Sequence, residues 1–146
     1  MQHEYITFEV CGQLFGLDIM AIREIRAWTP VTRLPRVPNY VAGVVNLRGT
    51  VLPVVDLAAR LGWKATEASP RHAIIVTQVA GQARGLIVDS VSDIVTIAAA
   101  DLQPPPATSQ DGVIPFIEGL AAIEDQMVMI LDLDKLNADS ALPEAA

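Results

Sequence analysis

Two stretches of this chain echo one another closely enough to constrain the fold before any motif is considered. At an offset of 69 residues, Gly12-Gln13 falls on Gly81-Gln82, Gly16-Leu17 on Gly85-Leu86, Ile22 on Val91 and Glu24-Ile25 on Asp93-Ile94. At an offset of 76, Tyr40-Val41 falls on Phe116-Ile117, Gly43 on Gly119 and Asp56-Leu57 on Asp132-Leu133. The offset grows by 7 because the second half carries a longer loop, from Pro104-Pro105-Pro106 to Gly112. Coincidences of glycine and aspartate are harder to obtain from composition than Val-on-Val matches. A repeated unit therefore explains the echo better than chance likeness between two Val-rich hairpins.

The unit is built of strands. Ile6, Phe8 and Val10 alternate with Tyr5, Thr7 and Glu9, the period of a half-buried strand. Gly12-Gln13 reads as a turn, with Leu14 to Ile19 as the return strand. Ala73 to Val79, Gly81-Gln82 and Gly85 to Val88 repeat that pattern. Two similar halves, about 4–62 and 73–136, predict a single mainly-β domain over 1–146, made of two small β-barrels packed together with a few short helices. Asp56 is placed to accept backbone N–H groups at the start of a helix over Leu57 to Leu61, with Gly62 as its stop. Asp132 or Asp134 is expected to cap a second helix through Leu136. Met20 to Ile25 and Pro38 to Ala42 read as helical turns, and the tail 140–146 as frayed.

Composition bounds the function. Hydrophobic residues are 51% of the 146, with 5% aromatic, so the core should be Val, Ile, Leu and Ala. A mean hydropathy of +0.38 raises the question of a membrane span. Charges, prolines or glycines break every apolar run short of the roughly 18 residues a span needs. MQHEYITFEV has no basic-then-apolar secretory pattern, and a single cysteine, Cys11, makes no internal disulfide. A cytoplasmic location without membrane insertion is expected. A net charge of -7 argues against nucleic-acid binding, which needs a basic face to displace counterions.

No catalytic constellation is legible, so no enzyme and no cofactor are expected. His3 and His72 read as separate surface residues, and Cys11 as a small buried hydrophobe with no base beside it. Asp89-Ser90-Val91-Ser92-Asp93 lacks the glycine and closing glutamate of a calcium loop. Phosphate loops, nucleophile elbows and zinc spacings are missing from the sequence.

The feature left over is GVVNLRGTVLPVVDL, Gly43 to Leu57, where Asn46 and Arg48 interrupt core-grade sequence. The second half has Ala122-Ile123-Glu124-Asp125 at the positions of Asn46-Leu47-Arg48-Gly49. Geometry allows two roles for Arg48. It is either a solvated tip residue of a hairpin whose Gly49 takes positive φ, or half of an exposed ion pair that presents a planar fork to a carboxylate.

FGLDIMAIREIR, VTRLPRVPNYVAGVVNLRGTVLPVVDL and GLIVDSVSDIV resemble the CheW-like domain family of chemotaxis coupling (adaptor) proteins over nearly the whole chain. The resemblance implies two intertwined, five-stranded barrels of SH3-like character. It also implies a non-enzymatic adaptor, in arrays, between the cytoplasmic tip of methyl-accepting chemoreceptors and the regulatory domain of the histidine kinase CheA. Glu24 and Arg48 match positions that the family uses as a surface ion pair. Ile22, Gly43 and Ile74 match positions associated with receptor contact, and Asn46 stands in the same N-L-R-G motif. With the resemblance added, Arg48 is expected to work as a partner-binding residue within reach of Glu24. Arg84 departs from the family, standing where many relatives are apolar, and 64–69 is short and Ala-rich. Two other readings remain: an adaptor of a non-flagellar chemosensory pathway serving pili or development, and a small ligand-binding β-barrel, which would need a deep polar pocket.

Overall fold

The computed structural model describes residues 2–47, 49–61, 71–79, 81–104 and 117–136. In chain order these form β1 (Gln2–Val10), β2 (Gln13–Asp18), β3 (Ile22–Ala27), β4 (Val41–Leu47), β5 (Thr50–Asp56), α1 (Leu57–Arg60), β6 (Ala73–Val79), β7 (Gln82–Val88), β8 (Ser90–Ala98), β9 (Ile117–Ile123), β10 (Gln126–Leu131) and α2 (Leu133–Leu136). The expected helix stop at Gly62, the segment 64–69, the loop 105–112 and the tail 140–146 lie outside the described residues.

The strands make two five-stranded sheets. Sheet one runs β8-β1-β2-β10-β9 and sheet two runs β3-β6-β7-β5-β4. Advancing every strand of sheet one by five places along the chain, with wrap-around, gives sheet two in the same order. Each sheet therefore draws on both halves of the sequence, two strands from one and three from the other. The halves are not themselves the sheets. A short parallel pairing joins the two contributions: Ile130 opposite Gly16 in sheet one, Val54 opposite Gly85 in sheet two. Those four residues match at the offsets of 69 and 76.

The cores follow the same symmetry. Sheet one packs Tyr5, Ile97, Ala121, Val128 and Ile130. Their counterparts in sheet two are Ile74, Trp28, Val45, Leu52 and Val54. A third, larger cluster lies on the seam and takes Phe8, Val10, Phe15 and Leu17 from sheet one with Val55, Ile75, Leu86 and Val88 from sheet two. Strands bordering that seam are buried on both faces, because alternate residues point into different cores. In β7, Ile87 packs in the sheet-two core while Leu86 and Val88 pack in the seam. This explains unbroken apolar runs such as Ile74 to Val76. It also corrects the expectation for β1, where Tyr5 and Thr7 are buried along with Ile6 and Phe8.

Close packing at the joins needs glycine. A Cβ at Gly16 would lie 2.8 Å from Ile130 Cδ1, and one at Gly85 would lie 2.9 Å from Ile74 Cγ2. Gly43 is more constrained, with φ near +146° and Thr32 C 2.7 Å from any Cβ. There β4 accepts a bridge from Thr32 to Val44, which the second half reproduces between Gln103 and Leu120 beside Gly119.

Several local expectations need correction. Where Met20 to Ile25 was expected to turn, a 3-10 turn spans Ile19–Ala21, its start held by the Met20 N–H donating to Asp18 Oδ1 at 2.9 Å, and the chain is already extended from Ile22. Val41 and Ala42 likewise belong to β4 rather than to a helical turn. Asp56 occupies the first cap of α1 without a side-chain cap hydrogen bond, whereas Asp132 Oδ1 accepts the Lys135 N–H at 3.3 Å. Cys11 is exposed at the β1–β2 turn with φ +53°, not buried in a strand. His72 is largely covered, its ring edge-on to Trp28 and its Nε2 3.6 Å from Asp89 Oδ1.

Candidate partner-binding surface

The surface starts from β3, an edge strand of sheet two. Ile22, Glu24 and Arg26 point to the half-buried side, while Arg23, Ile25 and Ala27 face outward. Ile22 packs against the seam core. Glu24 Oε2 lies 3.7 Å from Arg26 Nη1, so this strand carries a local ion pair two residues apart. Arg48, expected to meet Glu24, lies outside the described residues.

A hairpin at the other edge of sheet two joins β4 to β5. Asn46 is exposed, and its Oδ1 accepts the Gly49 N–H at 3.0 Å, with Gly49 at φ +85°. Asn46 thus braces the turn that carries Arg48 in the sequence. Gly43 is buried against Thr32, and Ile74 is 1% exposed. Both shape the sheet beneath the surface, so substitutions there act through packing. Of the six residues singled out in the sequence, the structure brings Ile22 and Glu24 together on β3 and places Asn46 on β4, at the opposite edge of sheet two. It puts Gly43 and Ile74 underneath.

What the sequence reading missed is where the apolar surface lies. Among the described residues five large apolar side chains are exposed: Met20 at 87%, Met127 at 55%, Ile94 at 52%, Ile25 at 41% and Val51 at 40%. Four of them form matched pairs, Ile25 with Ile94 at an offset of 69 and Val51 with Met127 at an offset of 76. The repeat pairs these positions in the sequence, but buried pairs such as Leu17 and Leu86 repeat as well, so only the assembled sheets tell outward from inward. Each sheet therefore presents an apolar residue on its edge strand and another beside its hairpin tip. In sheet one that tip is Glu124-Asp125, both at positive φ, the geometry of a tight two-residue hairpin.

Two cavities among the described residues are also related by the repeat. One, of about 430 Å³, is lined by Trp28, Arg33, Val37, Ala42, Asp56 and Ile87. The other, of about 370 Å³, includes Asp18, Met20, Glu118, Asp132 and Leu133. Ile87, Ala42 and Asp56 in the first correspond to Asp18, Glu118 and Asp132 in the second. One cavity thus has a single carboxylate where the other has three. Burial, then Asp132 and Asp18, push the Glu118 carboxyl above its ordinary range.

Reaction chemistry finds little here. Among the described residues no three His, Cys, Asp or Glu side chains group to hold a metal ion. Burial, with Asp89 and Asp56 nearby, raises the Cys11 thiol pKa, the wrong direction for a nucleophile. Among those residues no helix is long and apolar enough to cross a membrane.

Comparison with known proteins agrees with this architecture. The CheW-like domain model matches residues 4–140. The chain is 51% identical to a chemotaxis protein CheW of Rhizobium meliloti over 133 residues, covering 91% of this chain and 86% of that one. It is 32% identical to a chemotaxis protein CheW of Bacillus subtilis, covering 97% and 93%. The crystal structure of the scaffolding protein TtCheW from Thermoanaerobacter tengcongensis superposes with a TM-score of 0.86 at 33% identity, covering 98% and 95%. With two SH3-like subdomains of five strands each and a family match along nearly its full length, the chain belongs to the CheW-like domain family.

Proposed function

We propose that this chain is a non-enzymatic chemotaxis adaptor, acting in the cytoplasm at membrane-bound receptor arrays. It couples the cytoplasmic tip of methyl-accepting chemoreceptors to the regulatory domain of the histidine kinase CheA. The observation that carries this reading is the paired set of exposed apolar residues, Ile25 with Ile94 and Val51 with Met127, one pair-member on each sheet. A molecule that bridges two proteins needs two docking faces, and apolar side chains at their centres supply most of the association energy. Kinship with proteins named for chemotaxis supports the pathway.

Arg48 and Glu24 serve as the polar rim of the sheet-two face, beside Ile22 and the turn braced by Asn46. An exposed ion pair contributes only about 0–1 kcal/mol to folding, so its use lies in recognition. Binding of purified receptor tip and kinase regulatory domain tests the reading. Arg48→Ala should leave the melting temperature nearly unchanged and weaken one or both complexes, and Arg48→Glu should weaken them further. Adding Glu24→Arg to Arg48→Glu should restore part of the loss. If the wild-type chain binds neither partner, the adaptor reading fails. If Arg48→Glu binds both like wild type, Arg48 is only a hairpin tip.

A further inference from the structure

The cavity of about 430 Å³ lies between sheet two and the segment 28–40, which runs from β3 to β4. That segment is tied down at two points. Thr32 exchanges backbone hydrogen bonds with Val44 of β4, at 2.9 and 2.8 Å, and the Tyr40 carbonyl accepts the Asp56 N–H at 2.7 Å. Pro30, Pro35 and Pro38 fix φ along it. The walls are therefore held by the fold itself, and they enclose a volume in the range of small-molecule sites, roughly 300–1,000 Å³.

The lining is graded from the opening inward. Ile87 and Val41 are buried, and Trp28, Leu34 and Val37 are half-buried, so most of the wall is apolar and part of it aromatic. Arg33 and Asn39 are exposed, which puts them at the opening, whereas Asp56 is only 5% exposed and lies at depth. Among the described residues no ion pair engages Arg33. Asp56 is engaged within the protein, and a carboxylate, with about four lone-pair sites, has room for one donor more. The matched cavity of sheet one has Asp18 and Glu118 where this one has Ile87 and Ala42, so it repels an anion that this one admits.

A molecule matching these walls has a flat apolar body, an anionic group at one end and a neutral hydrogen-bond donor at the other. A cationic donor fits less well, because burying an ammonium costs more than a single carboxylate returns. We propose that this cavity binds a small aromatic carboxylate with a hydroxyl at the far end of its ring, the carboxylate on Arg33 and the hydroxyl on Asp56. The guanidinium fork takes a carboxylate through two parallel hydrogen bonds, and Trp28 offers the ring an aromatic neighbour. This inference goes beyond the adaptor reading and does not depend on it.

Amide NMR of the full chain tests the proposal, with para-hydroxyphenylacetate as the probe at the millimolar concentrations that a ligand of this size requires. Saturable shifts are expected at Ala42, Ile87 and the Trp28 indole N–H. Phenylacetate, which lacks the hydroxyl, and tyrosol, which lacks the charge, should each bind about tenfold more weakly. Arg33→Ala changes an exposed side chain and should leave the melting temperature unchanged. It should weaken both acids about tenfold and leave tyrosol as it was. Ala42→Glu installs the carboxylate of the matched cavity and should abolish binding of the acids. Absence of saturable shifts at these residues with para-hydroxyphenylacetate overturns the proposal. So does equal affinity for all three probes, the mark of an unselective apolar hollow, and so does an Arg33→Ala chain that binds the acids like wild type. Tighter binding of tyramine than of the acid would make this a cation site on Asp56, which also overturns it.

Discussion

Sheet one and sheet two have the same strand order, the same parallel join and the same glycines at the join, yet they differ at their hairpin tips and in their cavities. Gly16 and Gly85 face matched neighbours, Ile130 and Val128 in one case, Ile74, Val54 and Leu52 in the other. The hairpin tips carry Glu124-Asp125 against Arg48-Gly49, and the cavities carry three carboxylates against one. Close packing tolerates few solutions, so the interior retains the repeat, while solvent tolerates many and the tips and cavities diverge. Phe15 and Arg84 mark an exception inside. They are equivalent at an offset of 69 and both buried, but Arg84 places a guanidinium where its counterpart places a ring, with Nη2 donating to Gln82 Oε1 at 2.6 Å. The repeat keeps the frame in both sheets while their tips and cavities differ.

Perturbing matched positions sharpens this comparison. The largest effect is expected at Phe15, fully buried and stacked on Phe8 at 6.1 Å between centroids. Phe15→Ala should cost about 3–5 kcal/mol by urea denaturation. Next come the bridge glycines. Gly43→Ala meets backbone at Thr32 and an unfavourable φ together, and should cost on the order of 3 kcal/mol. Its counterpart Gly119→Ala meets mainly the Leu102 side chain, which can move, and should cost about 1–2 kcal/mol. Equal costs would show that the two bridges are mechanically alike. At the parallel joins Gly85→Ala presses on the stiff, β-branched Cγ2 of Ile74, whereas Gly16→Ala presses on the mobile Cδ1 of Ile130. Gly85→Ala should be the more destabilising by roughly 1 kcal/mol, and the reverse order would contradict the packing described.

The smallest effect concerns the acidic cavity. Glu118 has its folded-state pKa raised by burial, Asp132 and Asp18, so the folded chain binds this proton more tightly than the unfolded one. Stability from this group is therefore present at pH below its unfolded value and lost as pH rises through the raised folded value. Glu118→Gln should remove that slope and stabilise the protein at neutral pH, by less than about 1 kcal/mol because solvent screens a group on the surface. The matched Ala42 offers no such slope. Identical thermal stability profiles with pH for Glu118→Gln and wild type would count against a strained carboxylate.

Much of the fold was legible because a repeat of glycines and aspartates constrains packing more than local propensity does. Strand positions, the hairpins at Gly12 and Gly49 and the short α1 followed from residue pattern. The half-buried reading of β1 failed because Tyr5 and Phe8 serve different cores, and a period of two cannot distinguish one buried face from two. Cys11 was misplaced because a turn with two positive φ values normally shows Gly, Asn or Asp, and Cys11 fills its first position. Of the candidate surface, Ile22, Glu24 and Asn46 were legible as exposed or half-exposed positions. Ile25, Ile94, Val51 and Met127 were not, because an outward apolar residue resembles a core residue until the sheet is assembled.

The claim that each sheet is built from both halves is tested most directly by cutting the chain between Leu61 and Arg71 and following the two fragments by amide NMR and thermal unfolding. Sheet one needs β1 and β2 from one fragment and β8 to β10 from the other, and sheet two needs the converse. Neither fragment alone should give dispersed amide resonances or a cooperative transition, and mixing them should restore both. A fragment that folds cooperatively by itself would mean that each half closes its own sheet, and would contradict the account.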